Sequence, residues 1–186
     1  MSFAYVARPG EPAWSGVLPG SPQPYFLRKG EGEHAKLFTD TFTVMLSGDE
    51  TGGQFGMFVA HCPAGDVIPA HAHDDTHETF YIVEGRVRVY VQLPDGEKTS
   101  RLLGEGDFGF VPAGAAHAYR VEAAARILGA ATGGFERFFQ QMGTPADTVD
   151  MQSPPFVPDM PRMQAAARAH NMRFLPGFEW PEAGTP

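Results

Sequence analysis

At 186 residues, with 42% hydrophobic and 12% aromatic side chains, the chain is long enough for one well-buried core and has the make-up of an ordinary globular domain. A formal net charge of −8 and the lack of any Lys/Arg cluster argue against nucleic acid as a partner, because a phosphate backbone requires a concentrated basic face. Cys62 is the single cysteine, so no intrachain disulfide can form. No apolar stretch approaches a membrane span, and the N-terminus lacks a basic start followed by an apolar run, so the expectation is a cytoplasmic protein that meets no membrane.

Residues 1–35 are rich in Gly and Pro without periodicity. They read as an irregular arm whose Tyr5, Trp14, Tyr25 and Phe26 pack onto a larger body and could cover a barrel mouth. From Leu37 to about Leu103 the pattern becomes short β-rich runs, LFTDTFTVML, QFGMFVAHC, ETFYIVEG, RVRVYVQL and TSRLLG, separated by turn signals. Pro94-Asp95-Gly96 between two of them predicts a hairpin, Pro presetting φ and Gly accepting a positive one. Strands at this spacing predict an all-β sandwich or barrel with its core over residues 36–131. Beyond it, Phe135, Phe138, Phe139 and Met142 follow the spacing of a helix with one apolar face, ended by Gly143 and packed against the barrel. A Pro-rich connection over 144–160 leads to a second helix from about Pro161 to His170, capped by Asp159. The closing segment should be irregular, with Phe174, Phe178 and Trp180 docking on the domain or on a second subunit. Residues 132–186 are thus a helical and irregular extension of a single domain spanning 1–186.

The chemistry concentrates in GDVIPAHAHDDTHETFYIVEG, from Gly65 to Gly85, and GDFGFVPAGAAHAYRV, from Gly106 to Val121. Side chains alternate across a strand, so His71 and His73 share a face, and Glu78 and His117 can join them around one ion. Three imidazoles and a carboxylate without thiolate suit a divalent first-row metal rather than an iron–sulfur or structural zinc site, and they leave the metal open. The competing reading, hydrogen-bonded core histidines, would be preferred for any one of them alone. His77 has the opposite parity to Glu78 and should point away, while His34, His61 and His170 lack partners at useful spacing. Phe80 and Ile82 share the face of Glu78, and Tyr119 and Val121 that of His117. This apolar, aromatic wall suits a flat aromatic substrate, although Ile82 and Val121 serve equally well as barrel filling.

Gly65, five residues, His71-x-His73, four residues, Glu78, six residues, Gly85 resembles the first motif of the cupin superfamily. Gly106, five residues, Pro112-x-Gly114, two residues, His117 resembles the second; that motif usually closes with Asn where this chain has Val121. The resemblance implies a single cupin jelly-roll barrel with a few peripheral helices, mainly C-terminal, and commonly a homodimer. The run DDTHETFYIVEG and the tail FERFFQQMGTPA are similar to the single-cupin bacterial quercetinases, the flavonol 2,4-dioxygenases. That likeness implies cleavage of quercetin and related flavonols by O2 to a depside and carbon monoxide. It also implies His71, His73, Glu78 and His117 as ligands of one divalent ion, nickel first and cobalt next, with manganese, iron or copper as further options. Glu78 would then also take the proton of the flavonol 3-hydroxyl. The alternatives are another cupin metalloenzyme, an isomerase or a dioxygenase of smaller substrates, and a non-enzymatic ligand sensor, which no helix-turn-helix segment or basic face supports.

Overall fold

The computed structural model describes Trp14 and residues 17–180. Its strands are β1 (Glu33–Leu37), β2 (Asp40–Leu46), β3 (Gly56–Cys62), β4 (Val67–His73), β5 (Glu78–Gln92), β6 (Lys98–Leu103), β7 (Phe108–Val111), β8 (His117–Ala131), β9 (Thr144–Ala146) and β10 (Met172–Phe174). Three helices accompany them, α1 (Gly48–Thr51), α2 (Glu136–Met142) and α3 (Met160–Ala169). The two long strands β5 and β8 pair antiparallel along most of their length, from Glu78 opposite Ala131 to Val91 opposite His117. The other edge of β8 carries β4 and β3, and the other edge of β5 carries β7 and β6. The sheet continues from β3 through β2 and β1 to β9, with β10 outside β4, and it does not close into a ring.

Alternation along these strands builds the core. In β3 Phe58, Ala60 and Cys62 are buried while Met57, Val59 and His61 are not, and Ile82, Val87, Val121 and Ile127 from β5 and β8 are almost fully buried. The stripe on α2 completes it: the Phe139 ring stacks on Phe42 at 3.9 Å and meets Phe58 edge-on at 4.6 Å.

Several boundaries differ from the sequence reading. The run LFTDTFTVML is a hairpin, broken where Phe38 takes a positive φ of 51° and exchanges backbone hydrogen bonds with Phe156. The runs ETFYIVEG and RVRVYVQL are one strand, β5, with irregular pairing near Gly85. There φ is 87° and the Ala124 carbonyl comes too close for any Cβ. Short β9 and β10 were not legible, since three residues give no period and each is ordered by the edge it pairs with. Phe174 accordingly lies in a strand. The predicted hairpin at 94–96 is present, with the Gly96 amide donating to Leu93, and Asp159 caps α3 by accepting from the Arg162 amide at 2.8 Å.

In the arm, Trp14 is buried with Nε1 donating to the His34 carbonyl, and the Tyr25 hydroxyl donates to that of Met45. Phe26 is 97% exposed and does not pack, and Tyr5 lies outside the described residues. Among the described residues no helix is long and apolar enough to cross a membrane.

Gly143 ends α2 for a reason other than a left-handed cap. Its φ of −82° is open to any residue, but a Cβ there would meet the backbone carbonyl oxygens of Lys36 and Phe139, each at 2.6 Å. Backbone atoms in a paired strand and a helix turn yield little. Gly143→Ala should therefore cost about 1–3 kcal/mol, the usual penalty of overpacking, read as a lower denaturant midpoint at unchanged slope.

Candidate metal centre

The topology brings four ligand-type side chains from three strands to one point. His71 and His73 end β4, Glu78 opens β5 and His117 opens β8, and His71 and His117 are direct cross-strand partners. Their exposures are 4%, 2%, 7% and 1%, and one ligand atom from each lies within 4.8 Å of all the others. His77 points away as parity required: it is exposed, its ring stacks on Phe110, and its Nδ1 accepts from the Ala113 amide at 3.1 Å. His34 is tied to Thr43 and the Gly30 carbonyl, His61 is half-buried on β3, and His170 meets Gln141.

Hydrogen bonds around the cluster settle which nitrogens face inward. His71 Nδ1 lies 2.8 Å from the Pro69 carbonyl and His117 Nδ1 lies 3.0 Å from that of Ala115. A carbonyl only accepts, so both Nδ1 atoms carry a proton and both Nε2 atoms are turned inward. His117 Nε2 then faces Glu78 Oε2 at 3.1 Å, and His73 Nε2 lies 3.7 Å from the same oxygen. His73 has no hydrogen-bond partner at either ring nitrogen among the described residues. Buried acceptors converging on one another are costly unless a proton or a cation sits between them. The donor set therefore fits a divalent first-row cation.

Burial, together with the neighbouring His117 and His73, pushes His71 down to about 3. Burial with His117 beside it pushes His73 down to about 4. Burial alone would raise the Glu78 carboxyl, but the hydrogen bond and charge of His117 and the nearby His73 and His71 hold it below the ordinary carboxylate value. His71, His73 and Glu78 thus stand in their ligating protonation state at neutral pH.

A lowered imidazole pKa contributes stability that is present above the unfolded value of about 6.5 and lost as pH falls through the folded one. Asp40, pushed up to about 8 by burial and Asp66, has the opposite sign, its contribution being lost as pH rises through that value. The imidazoles are best read singly. In metal-free protein the ring-proton NMR signals of His71 and His73 should not titrate between pH 8 and pH 5; a midpoint near 6.5 for either would show that it is not buried as described.

Beside the cluster is an apolar cavity of about 60 Å³, bordered by His71, Glu78, Phe80, Tyr119 and the α2 rings, among others. Phe80 and Tyr119 thus line it and touch edge-on at 5.9 Å. Ile82 and Val121 share their faces but are 0% exposed within the core and do not border the cavity. Strand parity specifies a face and not a depth, so these two are barrel filling. The sequence reading took the α2 stripe as packing only. Phe135, Phe138 and Phe139 pack and also wall the cavity, and Phe135 lies 4.2 Å from the His73 ring. A helical aromatic stripe was the available signal, but nothing in it says which space it closes.

Residues 58–129 match the cupin domain family, a stretch that contains all four ligand-type residues. The chain is 34% identical over 141 residues to quercetin 2,3-dioxygenase of Bacillus subtilis, covering 75% of this chain and 40% of that protein. It is 29% identical over 148 residues to quercetin 2,3-dioxygenase of Aspergillus japonicus, covering 75% and 41%. The match thus spans about two fifths of the length of either relative. Among solved structures, a point variant of oxalate decarboxylase from Bacillus subtilis superposes with a TM-score of 0.51 at 18% identity, over 68% of this chain and 34% of that one, a likeness of fold. Strand pairing and ligand spacing agree with a jelly roll built around two metal-binding motifs, and residues 58–129 form a cupin domain.

Proposed function

We propose that the protein is a metal-dependent dioxygenase that opens the heterocyclic ring of quercetin and related flavonols with O2, releasing carbon monoxide and a depside. One observation carries the reading: three imidazoles and a carboxylate are aimed at one another, and two of them, His71 and Glu78, border a cavity walled almost wholly by apolar and aromatic side chains. The likeness to two quercetin 2,3-dioxygenases over three quarters of the chain supports the substrate class.

His71, His73, His117 and Glu78 would hold one divalent ion, nickel before cobalt. Such an ion, when bound, supplies Lewis acidity that lowers the pKa of a hydroxyl it contacts and favours the anion. The chain's own part is to receive the proton and position the rings. Glu78 is ionised at neutral pH and lies at the cavity edge, so its carboxylate accepts the 3-hydroxyl proton while the O–H electron pair stays on the flavonol oxygen. The electron-rich anion is then the reductant for O2. Phe80 and Tyr119 hold the rings by apolar contact, and the dry wall keeps water from competing.

A dioxygenase of a smaller substrate is the second reading, favoured by a cavity of about 60 Å³ where sites for drug-sized ligands run to roughly 300–1,000 Å³. Elemental analysis combined with a quercetin assay that monitors carbon monoxide separates the two. Flavonol absorbance lost in air with carbon monoxide release, and kept under nitrogen, is the expected result. Loss in both gases would mean isomerisation or hydrolysis, and loss in neither would remove flavonols as substrates.

A further inference from the structure

Two spaces of very different size lie on either side of one ring. Inside is the cavity of about 60 Å³ that borders His71 and Glu78. Outside, between α1, the loop after His73 and the end of α3, is a cleft of about 600 Å³ lined by Asp49, Asp75, Arg137, Ala169 and Asn171, among others. Phe135 borders the cavity, while its chain neighbours Gly134 and Glu136 border the cleft. Its ring, 3% exposed, lies 4.2 Å from the ring of His73 and 6.2 Å from that of His170, which also borders the cleft. Phe135 is therefore part of the partition between them.

What flanks Phe135 is tied to distant elements, and what carries it is a short turn with local bonds. On one side, the Thr132 amide donates to the His77 carbonyl at 3.1 Å and the His77 amide to Thr132 Oγ1 at 2.9 Å. On the other, α2 is tied down by Arg137 to Glu33 and to Ser47 Oγ at 3.0 Å, by Gln140 to Glu33 at 2.6 Å, and by Glu136 accepting from the Gly48 amide at 2.8 Å. Between these anchors stand Gly133, Gly134 and Phe135, held by local turn bonds: the Phe135 amide donates to the Thr132 carbonyl at 3.3 Å, the Arg137 amide to that of Gly134 at 3.1 Å and the Phe138 amide to that of Phe135 at 2.9 Å. The two glycines, with φ of 69° and 75°, are the residue type with the widest backbone freedom.

We propose that the outer cleft is the entrance for a flat polyphenol and that Phe135 is its gate, swinging on Gly133–Gly134 to join cleft and cavity. This rests on the reading above that the substrate has the size of a flavonol, which the closed cavity alone does not admit. The polar lining of the cleft suits the hydroxylated rim of such a molecule, and the aromatic cavity takes its rings.

The test mixes metal-loaded protein with quercetin under nitrogen and follows association by the flavonol absorbance, without turnover. A parallel measurement follows capture of the metal by 1,10-phenanthroline, a flat aromatic chelator independent of flavonol chemistry. Phe135→Ala removes the gate and should raise both rates at least about tenfold, since association is slowed where binding requires a conformational change. Ala169→Trp, at an exposed position on the cleft, should lower both by about tenfold at unchanged metal content. If Phe135→Ala fails to fold, Phe135→Leu and Ala169→Trp still decide the matter. Wild-type protein that ignores quercetin while the variants still shift phenanthroline capture would overturn the substrate and leave the gate standing. Wild-type protein that binds quercetin at a rate neither variant changes would overturn the gate, and acceleration by Phe135→Ala without slowing by Ala169→Trp would place the entrance elsewhere.

Discussion

Glu78→Gln should keep a measurable share of the metal and lose most of the turnover. The amide matches the carboxylate in size and offers one ligand oxygen, but it cannot take up a proton at any working pH. A lost general base costs ~10²–10⁴-fold in rate. The loss should appear in kcat and kcat/KM alike, because proton transfer belongs to the reaction and not to the apolar contacts that hold the rings. Substrate supplied as preformed flavonolate at raised pH should recover part of the rate, since the missing step has then been done in solution. Near-normal activity at neutral pH in a metal-containing Glu78→Gln protein would remove Glu78 as the base and send the search to another cupin reaction.

His71→Ala, His73→Ala and His117→Ala should each empty the centre while the barrel survives. Changing an outer-shell partner of a metal site typically costs about 10–100-fold in affinity, so the direct loss of one of four donors should cost more. The folded scaffold does not depend on these rings to the same degree: the large buried side chains around Phe42, Phe58, Ile82 and Ile127 are untouched. Elemental analysis of the purified variants checks the first point and thermal unfolding of the metal-free forms the second. Wild-type metal content in all three would show that the ion is held elsewhere.

Much of the centre was legible before any tertiary structure, and the reason is local. Histidines at 71 and 73 on a strand must share a face, and a turn at Pro112–Gly114 returns the chain so that His117 starts the strand paired with theirs. Alternating burial in β3 and β5, the 94–96 hairpin and the Asp159 cap are likewise nearest-neighbour properties that survive packing. The aromatic stripe of α2 could be read as apolar helix for the same reason.

Properties set by distant contacts were not readable in this way. Ile82 and Val121 have the right parity and the wrong depth, because depth depends on where along a 15-residue strand the cavity falls. Phe38 turns the chain because Phe156, more than a hundred residues later, pairs with its backbone, and β9 and β10 are strands only because β1 and β4 had open edges. By itself the sequence determined which side chains could meet at a metal, since that follows from strand alternation and two short motifs. Only the tertiary structure decided how closed the space around them is, because the rings of Phe135, Phe138 and Phe139 reach the cavity from a helix that folds back after the last long strand, and the volume left over depends on that packing.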